Sequence, residues 1–173
     1  MSLLTEAAKA YIGVSSEMLD APEPVEQGAV RRFAQAILDE DPIFHTGHDI
    51  YGGPVAPPLF PQMMFKRPFG APDPLREHAR NPDYDGASGG TTQSLPQIPD
   101  FRGMGVLNGG LEIEFLRYAR HGEKVRMRSR YDDITEKQTS KGPIILLQIV
   151  SEYFTEDGEL LVRIRQTSIR RPV

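Results

Sequence analysis

Two carboxylates and two histidines stand close together in residues 37–48, which read ILDEDPIFHTGH. A carboxylate such as Asp39 and an imidazole such as His45 can together hold a water molecule and accept its proton. His45, His48 and Asp49 could bind a metal, but a His-x-x-His-Asp spacing is a weak signal and nothing else in the sequence completes a coordination sphere. The segment is either an acid–base cluster or a polar loop after a helix, and we expect no metal.

The elements that position this segment are expected to be helices. Residues 24–38 carry apolar side chains on one face at helical spacing: Val30, Phe33, Ala34, Ile37 and Leu38. Pro24 suits the first helical position, and Pro42 disfavours continuation beyond the loop. A shorter helix is predicted over residues 59–67, whose nearly continuous apolar side chains suggest burial on almost every side.

The remainder of the chain divides into an irregular stretch and a sheet. Residues 68–109 are rich in proline and glycine, which is typical of a lid or binding loop, and only a short helix over 73–80 is expected there. From Leu111 onward at least four consecutive antiparallel strands are predicted, with a hairpin at Asp157-Gly158. The first half of 143–154 is expected to be covered on both faces. We therefore predict an α+β single hotdog fold: an antiparallel sheet wrapped around a central helix that begins near Ala56, with a long Pro/Gly-rich insertion loop.

Composition narrows the class of protein. With 173 residues, 39% of them hydrophobic and 25% charged, we expect one globular domain over residues 1–173. The net charge of −4 gives no reason to expect nucleic acid or a membrane as partner. The lack of cysteine excludes disulfides, thiol catalysis and Cys-ligated zinc. No apolar run is long enough for a signal peptide or a membrane helix, so we expect a cytoplasmic protein.

Several segments resemble the MaoC-type hotdog hydratases and dehydratases, and in particular their FAS1-like dehydratase, or MaoC N-terminal, branch. They are FAQAILDEDPIF, YGGPVAPPLF, LNGGLEIEFLRYARHGEKVRMRSRYDDI and RIRQTSIRRP. In active members of this family, Asp-x-Asn-Pro-[Leu/Ile/Val]-His supplies an aspartate and a histidine that deprotonate a water, which adds to a 2-enoyl thioester. Pro-[Ile/Val]-Ala-His-Gly opens the central helix, where a backbone N–H stabilises the enolate oxygen.

The first family motif is altered in this sequence. Asp39 falls on the catalytic aspartate, and Asp41 replaces the asparagine. Phe44 occupies the place of the catalytic histidine, and His45 comes one residue late. A shift of one residue sends a side chain in another direction unless the loop compensates.

The second family motif is altered as well, because Pro57-Pro58 replace His-Gly. Proline has no N–H, so Pro58 cannot supply the hydrogen bond that the glycine would donate. Loss of one such donor costs about two to three powers of ten in rate. The resemblance therefore implies that the ILDEDPIFHTGH segment is the relic of a catalytic loop.

The resemblance also implies a function and a partner. In this family two hotdogs pair edge to edge with the acyl chain between them, and only one half needs to do chemistry. The residues that would flank the acyl tunnel and bind substrate are Gly53, Val55, Ala56, Asn108 and Gly109. We expect an acyl-thioester-binding subunit of an (R)-specific enoyl-CoA hydratase or 3-hydroxyacyl-thioester dehydratase, paired with a separate catalytic MaoC-type subunit. The chain ends at RRPV, where the first hotdog would end, as expected of a split form. No cofactor or metal is implied; CoA or an acyl-carrier thioester is the substrate.

Two alternatives remain from the sequence. The first is a self-sufficient homodimeric hydratase that uses Asp39 and His45, and the second is a non-catalytic hotdog that binds acyl-CoA. A thioesterase is a weaker third. The alternating residues Arg126, Arg128 and Arg130 could bind a phosphate, but a solvated strand face is the simpler explanation. His121 is expected in an exposed turn.

Overall fold

A computed structural model of the chain describes residues 2–65, 69–72, 76, 79–81 and 94–172. Its elements, in chain order, are α1 (Glu6–Lys9), β1 (Leu19–Asp20), α2 (Gln27–Ala36), α3 (Phe60–Met63), β2 (Gly105–Phe115), β3 (Val125–Thr139), β4 (Gly142–Thr155) and β5 (Leu160–Arg171). Three short 3-10 turns cover Pro42–Phe44, Asp49–Tyr51 and Pro99–Phe101. No helix in this described part is long and apolar enough to cross a bilayer.

The strands form one five-stranded antiparallel sheet in the order β1-β3-β4-β5-β2. β3, β4 and β5 are successive hairpin neighbours, and the β4–β5 turn contains Asp157-Gly158, with Gly158 at φ 89°. A positive φ at this position favours glycine. The α+β layout and this hairpin are confirmed.

The position of β2 differs from the expected succession of strands. It pairs with β5 at the far edge of the sheet, and not with β3, which follows it in the chain. The edge of β3 is already occupied, because Gly13 and Ser16 donate to the carbonyls of Tyr131 and Ser129 and β1 continues the pairing. β2 also begins at Gly105, so residues 105–109 are strand and not loop as predicted.

The burial of β4 reverses the prediction for its two halves. Residues 143–148 alternate between buried and half-buried, whereas residues 149–153 are buried on both faces. The outer face is covered at Glu152, which lies between arginines of the neighbouring strands β3 and β5. Ion pairs, and not apolar packing, therefore close this part of the outer face.

The core lies against one face of the sheet in two clusters. The first joins α2, the 39–58 loop and α3 to the sheet, with buried members that include Val30, Phe44, Ala56, Phe60 and Tyr153. The second joins α1 and residues 95–104 to the other part of the same face, with buried members that include Ala8, Phe101, Tyr131 and Ile145. The 39–58 loop is thus held between a helix and the sheet.

Both helices next to the loop are shorter than predicted. α2 spans Gln27–Ala36, so Pro24 lies outside it. It ends because Leu38 takes a left-handed conformation (φ 57°) and Asp39 N–H donates to the Ala34 carbonyl. This is a common way for a helix to stop.

The central helix α3 begins at Phe60, and not near Ala56, because Pro57 and Pro58 each disfavour helical backbone angles at the residue before them. Phe60 and Pro61 are buried, but Met63 is exposed, so burial on almost every side is wrong. The predicted continuation to residue 67 and most of the predicted helix over 73–80 fall outside the described residues.

Candidate functional site

The 39–58 loop uses both of its leading carboxylates to shape its own backbone. Asp39 Oδ1 accepts from the Asp41 N–H (3.2 Å), and Asp41 Oδ1 accepts from the Ile43 N–H (3.0 Å). The second bond caps the 3-10 turn Pro42–Phe44. Such bonds to backbone two residues on are what short acidic side chains make in turns. The local role of the two aspartates is therefore structural.

Phe44 and His45 point in different directions, as the shift of one residue predicts. Phe44 is only 4% exposed and packs edge-on against Tyr118, with ring centroids 6.3 Å apart. His45 is exposed. In the part of the chain that the structure describes, no hydrogen bond joins the Asp39 carboxylate to the His45 ring. An apolar ring thus fills the position where the family places its histidine.

His48 takes part in a turn of its own. Its Nδ1 accepts from the Ile50 N–H (3.3 Å), and its ring meets Tyr51 edge-on. Among the described residues, no three side chains of the His, Asp, Glu or Cys types lie close enough together to hold a metal ion. The His48–Asp49 pair serves the loop as a cap.

The segment 54–58 offers no spare backbone donor for an oxyanion. Val55 N–H donates to the Ile43 carbonyl (3.0 Å), and Ala56 N–H donates to the Ala119 carbonyl (2.8 Å). Pro54, Pro57 and Pro58 have no N–H. Every N–H in this segment is therefore already bonded or missing. The sequence predicted the lack of a free donor only at Pro58, and the structure shows it at all five positions.

Tyr118 is a site residue that sequence reasoning missed. Its ring contacts Phe44, Tyr51 and Phe115, with centroids 5.2 Å from Tyr51 and 4.7 Å from Phe115. Burial raises the pKa of Tyr118, and the nearby Tyr51 and the carboxylates of Asp41 and Asp39 raise it further. Its hydroxyl therefore stays protonated at neutral pH and faces the acidic start of the loop. No local signal marks Tyr118, because it follows β2, far along the chain.

His121 joins the two motif segments; it lies in a turn, as expected, but is half-buried and not exposed. Its backbone N–H donates to the Pro54 carbonyl (3.3 Å), and its ring Nε2 is buried without a hydrogen-bond partner. Burial lowers the pKa of His121, and hydrogen bonding to the backbone of Val55 and Phe44 opposes this only in part. A neutral imidazole thus lies between the segments that carry the two altered motifs.

The five residues expected to bind substrate fall into two separate groups. Val55 and Ala56 are buried in this chain's own core, and Gly53 beside them is half-buried at φ 134°. Asn108 and Gly109 are exposed on β2. They lie about seven residues, roughly 20 Å, from the end of the strand that meets Tyr118. The structure does not bring the two groups together.

β2 is exposed on both faces and is an edge strand, since among the described residues it pairs only with β5. Its apolar side chains are 40–48% exposed. They are Val106, Leu107, Leu111, Ile113 and Phe115, followed by Leu116. A long apolar edge of this kind is a surface for pairing with another chain.

A separate open cavity of about 370 Å³ lies between α2 and α3. Phe33, Phe60, Met63 and Met64 supply its apolar lining, and Arg32 is among its charged residues. Its volume is at the lower end of the range for small-ligand sites.

Comparison with known proteins connects this geometry to a family. The profile of the FAS1-like dehydratase domain region matches residues 10–164. A search of curated proteins gave no match. The ChsH1-ChsH2 complex from Mycobacterium tuberculosis contains a chain of similar fold, with 22% identity, a TM-score of 0.69, and coverage of 95% of this chain and 88% of that chain.

Two further solved structures are similar in fold. A MaoC-like dehydratase from Rhodospirillum rubrum has 19% identity and a TM-score of 0.58, and the match covers 94% of each chain. The C-terminally truncated HadBC (3R-hydroxyacyl-ACP dehydratase) complex from Mycobacterium tuberculosis has 17% identity and a TM-score of 0.58, with 92% of this chain and 96% of that chain covered.

These likenesses, together with the five-stranded antiparallel sheet, confirm the α+β hotdog fold. More particularly, the chain belongs to the FAS1-like dehydratase family, whose profile spans most of its length.

Proposed function

We propose that the chain is the acyl-thioester-binding subunit of an (R)-specific enoyl-CoA hydratase or 3-hydroxyacyl-thioester dehydratase. A separate MaoC-type subunit supplies the catalytic aspartate and histidine. The substrate handle is CoA or an acyl-carrier pantetheine arm, and no redox cofactor or metal takes part.

The main support for this proposal is that the two motif segments offer no histidine at position 44 and no free backbone N–H beside it. A buried Phe44 stands where the base would be, and the N–H groups of Val55 and Ala56 are already donated. Without a positioned base and an oxyanion donor, water addition to an enoyl thioester loses its two main sources of rate enhancement. The chain keeps the family fold while its own loop is closed to this chemistry.

The exposed strand β2 supports a second subunit as partner. Its free edge and uncovered apolar residues, such as Ile113 and Phe115, are the features of a surface that another sheet edge would cover. Two of the structures similar in fold are complexes, ChsH1-ChsH2 and HadBC. This agrees with a heteromeric assembly through β2.

Reconstitution tests the division of labour. The chain is co-expressed with a MaoC-type subunit that carries the intact Asp-x-Asn-Pro-x-His motif, and the purified complex is assayed with a 2-enoyl-CoA. We expect turnover that survives Asp39→Asn in this chain and disappears when the partner's motif aspartate is changed. Turnover that depends on Asp39 would favour the self-sufficient homodimer. Thioester binding without turnover in any complex would favour a non-catalytic hotdog.

The interface is tested by Ile113→Lys on β2, with Thr135→Lys on the exposed part of β3 as the matched control. We expect Ile113→Lys to abolish co-purification with the MaoC-type subunit because it places a charge on the apolar edge. Thr135→Lys should leave co-purification unchanged. Equal recovery of the complex from both variants would contradict pairing through β2.

A further inference from the structure

The core face of β5 changes from apolar to polar along its length. Val162 and Ile164 point into the first core cluster, and the same alternation places Gln166, Ser168 and Arg170 on that face. A polar run on a core face requires partners, because buried polar groups in folded proteins are almost always hydrogen-bonded.

Two of these side chains have buried polar atoms without partners. Ser168 is 3% exposed, and its hydroxyl makes no hydrogen bond to any residue that the structure describes. The Nε of Arg170 is likewise buried and unpaired. The neighbouring residues of the outer face behave differently, since Arg163 and Arg165 each pair with carboxylates on both sides. Within the described ranges, Arg170 makes no ion pair at all.

The surroundings of Arg170 do not supply the missing negative charge. The titratable group that acts on it is Tyr131, whose hydroxyl donates to the Pro96 carbonyl (2.8 Å). Burial lowers the pKa of Arg170, and Tyr131 opposes this only in part. A half-buried guanidinium held without a counter-ion is costly, so an anion that binds there gains the interaction that the chain leaves unmade.

This place adjoins the exposed edge strand β2. Ser168 stands opposite Asn108, and Arg170 stands opposite Val106, and both β2 residues are exposed. Asn108 Oδ1 accepts from the Gly110 N–H (3.0 Å), which leaves the amide NH₂ of Asn108 as a further donor on the same face. The strand register therefore places three donor side chains on one face where β5 meets β2.

We propose that Arg170, Ser168 and Asn108 form a subsite for an anionic oxygen group of the bound thioester. This rests on the proposed function for the identity of the ligand. Arg170 lies eight residues along β5 from Val162, the partner of Phe115 beside the 39–58 loop, which is roughly 26 Å. The anionic group is thus remote from the thioester carbon, as a carboxylate at the end of the acyl chain or a phosphate of the handle would be.

Anion titration of the isolated full chain tests the subsite without any thioester. The side-chain Nε–H of Arg170 and the backbone amides of residues 168–170 are followed by NMR while sodium acetate or sodium phosphate is added. Sodium chloride at equal ionic strength is the reference, and Arg171, an exposed neighbour on the opposite face, is the internal control. We expect a saturable shift at Arg170 and Ser168 that Arg171 does not show.

The anion that binds more tightly identifies the source. Preference for acetate indicates an acid group on the acyl chain, and preference for phosphate indicates the handle. Arg170→Met should lower the affinity for the preferred anion about tenfold, whereas Arg171→Met should leave that affinity unchanged. Ser168→Ala should also lower the affinity for this anion. Absence of saturation by either anion, or an equal response at Arg171, would overturn the subsite, whatever the hydration assays show. Anion binding by a chain that plays no part in hydration would overturn only the proposed function.

Discussion

At positions 44 and 57–58, where the sequence resemblance places a base and an oxyanion donor, this chain has a phenylalanine and two prolines, which can only pack. The Phe44 ring is buried against Tyr118, and the N–H groups that remain beside Pro57 are bonded within the chain. Restoring a histidine at position 44 would place it in the apolar core, without the donor that the second motif has lost. A single substitution is therefore not expected to restore activity.

Gly47 is the residue on which the shape of the loop depends most directly. A Cβ at Gly47 would lie 2.5 Å from Gly53 C and from Pro54 N, and its φ is +85°. We expect Gly47→Ala to lower the free energy of unfolding by about 2–4 kcal/mol, from overpacking and left-handed strain together. Gly52→Ala, at φ +72° with nothing within 4 Å of the Cβ, should cost only about 1–2 kcal/mol. Urea denaturation of both variants measures the difference, and equal losses would contradict the close approach.

His121 predicts a pH dependence of stability. Its pKa is lowered in the folded state, mainly by burial, so the unfolded chain binds the proton more readily. The stability that the neutral His121 ring contributes is fully present above the pKa of about 6.5 in the unfolded chain, and it is lost as the pH falls below that value. Urea midpoints measured between about pH 5 and 8 should fall at the acidic end for the wild type and less for His121→Gln. An identical pH profile for both would contradict burial of this ring.

At the scale of elements, the sequence predicted what local patterns encode. The alternation in β3, β4 and β5 and the Asp157-Gly158 turn were sufficient for three strands and their hairpin. The place of β2 was not predictable in this way, because the strand that it joins is determined by long-range competition for the edge of β3. The helices were predicted in position but not in length, since the left-handed Leu38 ends α2 early and α3 begins only at Phe60.

The candidate site was predictable only in part. The lack of an N–H at Pro58 follows from residue type, and the divergence of Phe44 and His45 follows from their spacing. The proximity of Tyr118 to Asp39 and the insertion of His121 between the motifs depend on the tertiary fold. Neither has a sequence signal, because an aromatic residue or a histidine after a strand is compatible with many environments.

An ion-pair ladder crosses four strands on the outer face of the sheet. Glu152 on β4 accepts from Arg128 on β3 (3.4 Å) and Arg163 on β5 (2.9 Å), and Arg163 also pairs with Glu114 on β2. The Arg126–Arg130 row is thus ion-paired, and Arg128 at its centre is exposed, so the row remains a solvated strand face with carboxylate partners added.

The ladder predicts that replacing a buried carboxylate destabilises the fold more than replacing an exposed one. The Glu152 side chain is 11% exposed, whereas Glu112, which pairs with Arg165, is 76% exposed. We expect Glu152→Gln to lower the free energy of unfolding by about 1–3 kcal/mol because a buried charge partner is lost. Glu112→Gln should cost no more than about 1 kcal/mol. Urea denaturation compares them, and a larger loss for Glu112→Gln would contradict the account.

At the scale of the whole molecule, the apolar surface on one side of the described chain is covered, and that on the other side is exposed. α2, α3 and the 39–58 loop close the first core cluster, while β2 leaves an apolar edge uncovered. The family fold with altered motif segments is what we expect of the proposed subunit, which would shape a pocket for chemistry performed by a partner. The polar end of β5 lies on that open side.

The hydration rate of a panel of 2-enoyl-CoA esters, measured with the purified chain alone and with its Asp39→Asn variant, tests the central claim most directly. The altered motifs predict no turnover above the uncatalysed rate for either protein, and turnover only after a MaoC-type subunit is added. Turnover by the chain alone that disappears in Asp39→Asn would contradict this account and would show that Asp39 and His45 form a working pair.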